Sequence, residues 1–433
     1  MSGRALRWLM PGLHFKRWLA LLVVAVALAA VGAVLIVRAW GEPHQHVSQD
    51  VALVLVGVVV GIYAVRQLIT SVVTALVPTE HGEIAESYWR ARVLLRGPRI
   101  VALGGGTGLP VLLRGLKQYS SNITAIVAVT DDGGSSGRLR GELGVPPPGD
   151  LRNCLLALAE TEPLLERLFQ YRFDSGEGLS GHAFGNLFLA AMCTVTGDLQ
   201  EAIRASSRVL AVRGQVLPAT DDQVVLRAEL QDGRVIEGES LIPQARGTVR
   251  RVMLGPDTAA PTNEALQAIA EADIIVLAPG SLFTSLMPNL LVRGIADAIR
   301  ASNALRFYVQ NIMTQPGETD EMTAEQHLEA IRDHAGPGIV DCVVVNETPL
   351  DQVTAARYRE RDAEIVRWSE QGLAAAGYEV LAGPLLAKDS RYAWHDPQAV
   401  ARLILQRWSR RRPEPGRLLD IFMLRDQLRT EQR

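Results

Sequence analysis

Three textures of hydrophobicity follow one another along the chain. From Trp18 to Val37 no residue is charged, and a helix of that length matches the roughly 30 Å hydrocarbon core of a bilayer. A short polar loop, Arg38 to Asp50, leads to a second apolar run, Val51 to Val77, interrupted at Arg66 and Gln67. The hydrocarbon span is expected to end near Arg66, with its guanidinium reaching toward the interface. From Gly97 onward strand-length apolar runs alternate with amphipathic helical stretches, the pattern of a mostly parallel sheet. The expected fold class is α/β: a Rossmann-like, mostly parallel sheet with a small antiparallel β insertion, preceded by a two-helix transmembrane hairpin. The expected division is residues 1–78 for the hairpin, 79–97 for a juxtamembrane linker, 98–405 for the α/β domain with its insertion at about 215–255, and 406–433 for a basic tail.

The first strand-helix-strand unit is the most informative stretch. A strand at Ile100 to Leu103 runs into Gly104, Gly105, Gly106, Thr107 and Gly108, and the following helix carries an apolar stripe at Leu109, Val111, Leu112, Leu113 and Leu116. A glycine loop at a helix start offers backbone N–H groups to an anion, usually phosphate. Leu109 stands where a GxGxxG dinucleotide motif needs glycine, and the Gly-Lys-Ser/Thr ending of a Walker A loop is absent. A second strand, Ile123 to Val129, ends in Thr130, Asp131 and Asp132 before Gly133, Gly134, Ser135 and Ser136. Carboxylates there can hold a ribose hydroxyl or a metal such as Mg²⁺ beside phosphate, or cap the next segment.

Later segments repeat the logic. Asp150 is expected to cap a helix over Leu151 to Ala159, and Arg152 and Asn153 in its first turn favour an anionic partner, because a cation there opposes the helix dipole. His182 stands before an apolar helix, Ala183 to Val195, with no second His or Cys nearby, so metal ligation is not expected. Gln215 to Leu254 reads as the antiparallel insertion, with a hairpin at Asp232 and Gly233 and no chemistry of its own. A strand at Asp273 to Leu277 turns through Pro279, Gly280 and Ser281 into another helix. Two more strands end in Asn311 and in Asn346 and Glu347, and a helix is expected over Asp396 to Trp408 with a further short one at Leu418 to Leu428.

Charge narrows the partners. A formal net charge of −3 without a basic face argues against nucleic acid. Arg4, Arg7, Lys16 and Arg17 precede the first span and Arg90, Arg92, Arg96 and Arg99 follow the second, while the loop between carries only Arg38, so both flanks are expected to be cytoplasmic. The expected location is thus the cell membrane, with two spans and the main domain in the cytoplasm. Cys154, Cys193 and Cys342 are scattered and read as small buried hydrophobes in a reducing compartment.

GGGTGLPVLLRGLK, VTDDGGSSGRLR, PPPGDLRN, GLSGHAFGNL, APGSLFTS and the segment around QNIMTQPGETD resemble, in this order, the bacterial gluconeogenesis factor (YvcK-like) family, which belongs with the CofD-like 2-phospho-L-lactate transferases. The resemblance runs from about Arg99 to about Val345 and more weakly to Ala399. It implies a UDP-sugar binding protein with a regulatory role linked to growth on gluconeogenic carbon sources, cell shape and cell-wall precursor supply, as a homo-oligomer. It also implies a nucleotide pocket lined by both glycine loops and by Gly149, Asp150, Arg152 and Asn153, with His182 and Asn186 of the GH-x-x-GN motif, Gly280, Ser281, Phe283 and Thr284 of APGSLFTS, Arg306 and Asn311. Phe283 departs from the family pattern, where an aromatic with a hydroxyl often stands. The alternative is a transferase moving phospholactate from a guanosine diphosphate donor to a deazaflavin with Mg²⁺; a nicotinamide dehydrogenase is disfavoured by Leu109.

Overall fold

The computed structural model describes residues 15–38, 47–76, 93–160, 163–388 and 392–411. The loop with His44 and His46, the linker from residue 79 to residue 92, and the helix expected at Leu418 to Leu428 lie outside them. The chain divides into two units, Met1–Arg90 and Ala91–Arg433.

In the first unit α1 (Phe15–Arg38) packs against α2 (Val47–Leu76). Small residues allow the approach: a Cβ at Gly57 would lie 2.7 Å from Ala29 N, and one at Gly61 3.7 Å from Ala25 Cβ. Ala25 and Ala64 are buried in this seam, while most of the valines and leucines around it point outward, as a helix pair in lipid requires. The stretches Trp18–Arg38 and Ser48–Leu68 are each long and apolar enough to cross a membrane.

The second unit is built on a parallel sheet of seven strands in the order β10-β9-β8-β7-β1-β2-β3. These are β1 (Ile100–Gly104), β2 (Ile123–Val127), β3 (Gln215–Pro218), β7 (Ile274–Leu277), β8 (Leu305–Val309), β9 (Cys342–Asn346) and β10 (Glu379–Gly383). Ile100 stands level with Ile123 on one side and Ile274 on the other. The central strands β1, β2 and β7 are buried along their whole length, which is why their sequences are continuous apolar runs with no alternation. Among the helices that cover the sheet, α3 (Gly108–Leu116), α4 (Gly134–Leu143), α5 (Pro148–Leu158), α6 (Pro163–Gln170), α7 (Phe184–Thr196) and α8 (Leu199–Val209) lie between β1 and β3 in sequence. A second sheet of three antiparallel strands joins β4 (Val225–Leu230) to β5 (Val235–Glu237) and β6 (Val249–Gly255).

Three local expectations are corrected. Gln215–Pro218 belongs to the main sheet, pairing in parallel with β2, so the insertion starts only after it. The signal was present, since Val216 and Leu217 form a buried apolar run without alternation. The acidic glycine segment winds into α4 directly after Gly133, although its glycines are poor helix formers. The helix expected at Leu151 begins at Pro148, with Pro147 outside it. Proline suits that first position because its missing N–H would have had no partner there, and Asp150 therefore sits inside the first turn and does not cap it.

Candidate functional site

The chain winds outward from β1 through β2 to β3, then returns to the other side of β1 with β7 and continues to β8, β9 and β10. The loops after β1 and β7 therefore leave the carboxyl edge side by side, where the winding reverses and open parallel sheets take their ligands. They touch. A Cβ at Gly108 would lie 1.9 Å from Pro279 O, so this position excludes every side chain, and Asn289 Nδ2 donates to Gly104 O (3.1 Å).

Gly106 has φ +60°, and its N–H donates to Asp150 Oδ2 at 2.6 Å. The amide expected to await an anion is thus already held by a carboxylate from the first turn of α5. Burial pushes the Asp150 carboxyl up to about 6, and the charge of Asp131 adds to this against the Gly106 N–H and Arg152. Gly280 is also engaged: its N–H donates to Asn311 Oδ1 (2.8 Å) while Asn311 Nδ2 donates to Gly280 O (2.6 Å). The expectation of unpaired amides is corrected at both positions.

Asp131 and Asp132 do not share a partner. Asp131 Oδ1 accepts from Gly133 N (2.9 Å), and its other oxygen faces Gly149, which also abuts Ser136 Oγ. Asp132 Oδ1 accepts from Ser240 N (2.8 Å) and Oδ2 faces Gly238. The two carboxylates thus turn to different backbone partners, and among the described residues no group of three or more His, Cys, Asp or Glu side chains is placed to hold a metal. Ser240 and Glu239 come from the insertion, whose sequence gave no sign of chemistry. Thr130 Oγ1 donates to Glu239 Oε2 at 2.5 Å. Burial lifts the Glu239 carboxyl well above the usual range despite that bond, with Asp131, Asp150 and Asp132 adding to the rise.

On the α7 side, Ser135 Oγ lies 3.0 Å from His182 Nδ1 and accepts from Asn186 Nδ2 (3.1 Å), all three residues being buried. Arg152 Nη2 donates to Asn153 Oδ1 (2.8 Å). The structure therefore brings together the residues of both glycine loops, Gly149 to Asn153, His182, Asn186, Gly280, Ser281 and Asn311.

Two expected residues lie elsewhere. Phe283 is 2% exposed and meets the ring of His334 edge-on at 6.0 Å, so it belongs to the core. Arg306 lies near the start of β8, toward the opposite edge of the sheet, and forms a two-pronged pair with Asp341 through Nε (2.8 Å) and Nη2 (2.6 Å). Its role is to bind β8 to the approach of β9. Thr284 is buried and, with Ser281, donates to Glu318 of the QPGETD segment. Cys154 and Cys342 are buried free thiols as expected, whereas Cys193 is only half-buried.

A cavity of ≈ 390 Å³ opens beside Thr107, Gly108, Gly280 and Asn311, within the range of ligand pockets. Tyr358, Arg361, Trp394 and His395 wall its far side, with Arg361 stacked 5.9 Å from the Tyr392 ring centroid. Two polar atoms at this wall, His395 Nε2 and Gln315 Oε1, are buried without a partner. Burial holds the His395 ring down to about 4, so it is neutral. Sequence reading missed this wall because its residues come from separate loops and a helix with no shared spacing.

The profile of the CofD family, 2-phospho-L-lactate transferase CofD, matches residues 100–386. The gluconeogenesis factor of Halalkalibacterium halodurans is 50% identical over 312 residues, 72% of this chain and 97% of that protein. That of Bacillus subtilis is 48% identical over 308 residues, 71% of this chain and 97% of its own. A Nostoc sp. relative carrying the gluconeogenesis factor name is 46% identical over 418 residues, 92% of each chain. A crystal structure of a Bacillus halodurans protein superposes with a TM-score of 0.70 at 50% identity, over 71% of this chain and 99% of that one. With its parallel sheet, its paired loops at the winding reversal and these relatives, the chain belongs to the gluconeogenesis factor family, within the CofD-like group.

Proposed function

We propose that the chain is a membrane-anchored, cytoplasmic binding and regulatory protein for a nucleotide diphosphate sugar, of the UDP-sugar class, acting in gluconeogenic growth, cell shape and the supply of cell-wall precursors. The observation that carries the reading is the contact of the two strand-to-helix loops at the winding reversal, with one cleft beside them. The diphosphate would lie along the Gly104–Gly108 loop and the turn at Gly280, taking the Gly106 N–H from Asp150. The base would stack on Tyr358 or Trp394, its donors meeting His395 Nε2 and Gln315 Oε1. The protein would act as a homo-oligomer without nucleic acid. The second reading, a phospholactate transferase, is favoured by the match to the CofD profile.

Titration of the full chain with uridine, uridine diphosphate, UDP-glucose, guanosine diphosphate and NAD ranks the readings. Tightest binding by UDP-glucose is expected. Tightest binding by guanosine diphosphate, with deazaflavin modified on adding a phospholactate donor, would favour the transferase. Gly106→Val, which forces a branched side chain onto φ +60°, should weaken the diphosphates far more than uridine. Equal losses across the three uridine ligands would mean that the loop only shapes the fold.

A further inference from the structure

Three guanidiniums gather around the loop that leads into α7. Arg138 on α4 donates from Nη2 to Ser180 O (2.9 Å), and Arg172 donates from Nη1 to Gly181 O (2.5 Å). The stem of Arg152 on α5 fills the space beside Gly185, where a Cβ would lie 2.6 Å from its Cδ. Their hydrogen bonds go to backbone carbonyls and to Asn153, and none of the three is ion-paired with a carboxylate among the described residues. Arg172 is close enough for its charge to act on Arg152, and Arg138 and Arg172 both act on His182. Burial first, then Arg172, holds the Arg152 guanidinium below its ordinary value against the pull of Asp150 and Asp131. Burial, Arg138 and Arg172 hold His182 down in the same way, with Glu142 opposing.

Arg138 and Arg172 are exposed and open to solvent, whereas Arg152 is partly buried, and a partly buried guanidinium without an acid is unfavourable unless an anion joins it. Two further atoms are unsatisfied here. Arg152 Nε, a donor, and Asn186 Oδ1, an acceptor, are both buried without partners. Asn186 is 3% exposed and is tied through its Nδ2 to Ser135, so its oxygen is held in place.

We propose a second anion subsite, made by Arg152, Arg172 and Arg138, that takes a carboxylate or phosphate whose neighbouring carbon bears a hydroxyl. The anion sits on the guanidiniums and the hydroxyl donates to Asn186 Oδ1. Arg152 feels the charges of Asp131 and of Asp150, which holds Gly106, and its stem lies against Gly185, so the subsite is near the glycine loop on its α7 side, whereas the aromatic wall borders the loop at Thr107 and Gly108. A nucleotide sugar with an acidic sugar would reach both. That assignment rests on the nucleotide-sugar reading; the anion subsite does not.

The test is calorimetry on the full chain in detergent micelles with UDP-glucose, UDP-glucuronate and inorganic phosphate, for the parent, Arg172→Gln and Arg138→Gln. Glutamine keeps a donor for the loop carbonyl and removes the charge. UDP-glucuronate should bind the parent at least about tenfold more tightly than UDP-glucose, and both variants should erase that preference while UDP-glucose binding persists. Phosphate binding to the UDP-glucose-saturated parent, lost in the variants and with no preference between the sugars, supports the subsite with a separate small anion as its occupant. A parent with neither the preference nor phosphate binding overturns the proposal, as do effects that survive in both variants. If neither nucleotide sugar binds while phosphate binds in a variant-sensitive way, the nucleotide reading falls and the subsite stands.

Discussion

Asp150 shows how one side chain sets the state of the glycine loop. Its carboxylate occupies the Gly106 amide while burial raises its proton affinity to about 6. A carboxyl with a raised folded pKa binds protons better folded than unfolded, so it costs stability progressively as pH rises from its ordinary value toward 6. Asp150→Asn removes that cost and keeps an acceptor for Gly106. The stability of the variant relative to the parent should therefore climb by on the order of 2 kcal/mol between pH 4 and pH 7, read from denaturant midpoints. A difference that stays flat with pH would show that Asp150 is solvated. The sequence placed Asp150 near the site but gave it a capping role, because the spacing after three prolines does not reveal which residue opens the helix. Glu239 was invisible for another reason. It lies more than a hundred residues from Thr130 in the chain, and only the folding back of the insertion brings them together.

Elements were legible where burial imposes a run of one character. β1, β2, β7 and α3 stand within two residues of their expected bounds because each must be apolar to lie in the core. α4 was not, since GSSGRLRGEL owes its helix to its surroundings and not to its own residues. Arg306 was expected just before a strand and instead lies inside β8, at the end away from the cleft. Arg306→Ala should lower stability by about 1 kcal/mol, as for a partly exposed two-pronged pair. Ligand affinity should be unchanged, and a matching loss of affinity in titrations would return Arg306 to the site. The start of the α/β unit offers a further check. Val93 and Leu94 are buried against it, and Ser121 N donates to Leu94 O. A fragment beginning at residue 91 should therefore exceed one beginning at Pro98 by roughly 3 kcal/mol in urea unfolding, the scale of two buried aliphatic side chains. Equal midpoints would place the boundary at Pro98.

At the scale of the whole molecule, the two long apolar helices and the α/β unit are physically distinct. The hairpin is held by small residues in its seam and faces outward with branched aliphatics, whereas the α/β unit keeps its large apolar side chains inside. A thiol placed at His44 should be labelled from outside intact cells and one at Ser87 should not, in a background with Cys193→Ser. The reverse pattern would invert the topology.

The order of strands has a consequence for how the chain is made. β1 is synthesised early and sits at the centre of the finished sheet, but its neighbour β7 follows some 170 residues later. Until then β1 exposes an unpaired edge, the kind of surface that invites wrong pairing in a nascent chain. The contact is also long-range, which slows its closure. The cleft has no second wall before that moment, so a ligand that bridges both loops can bind only the completed sheet and draws the folding equilibrium toward it. For this architecture, the supply of ligand during synthesis should raise the yield of folded chain, an effect that a ligand seated on one half alone could not produce.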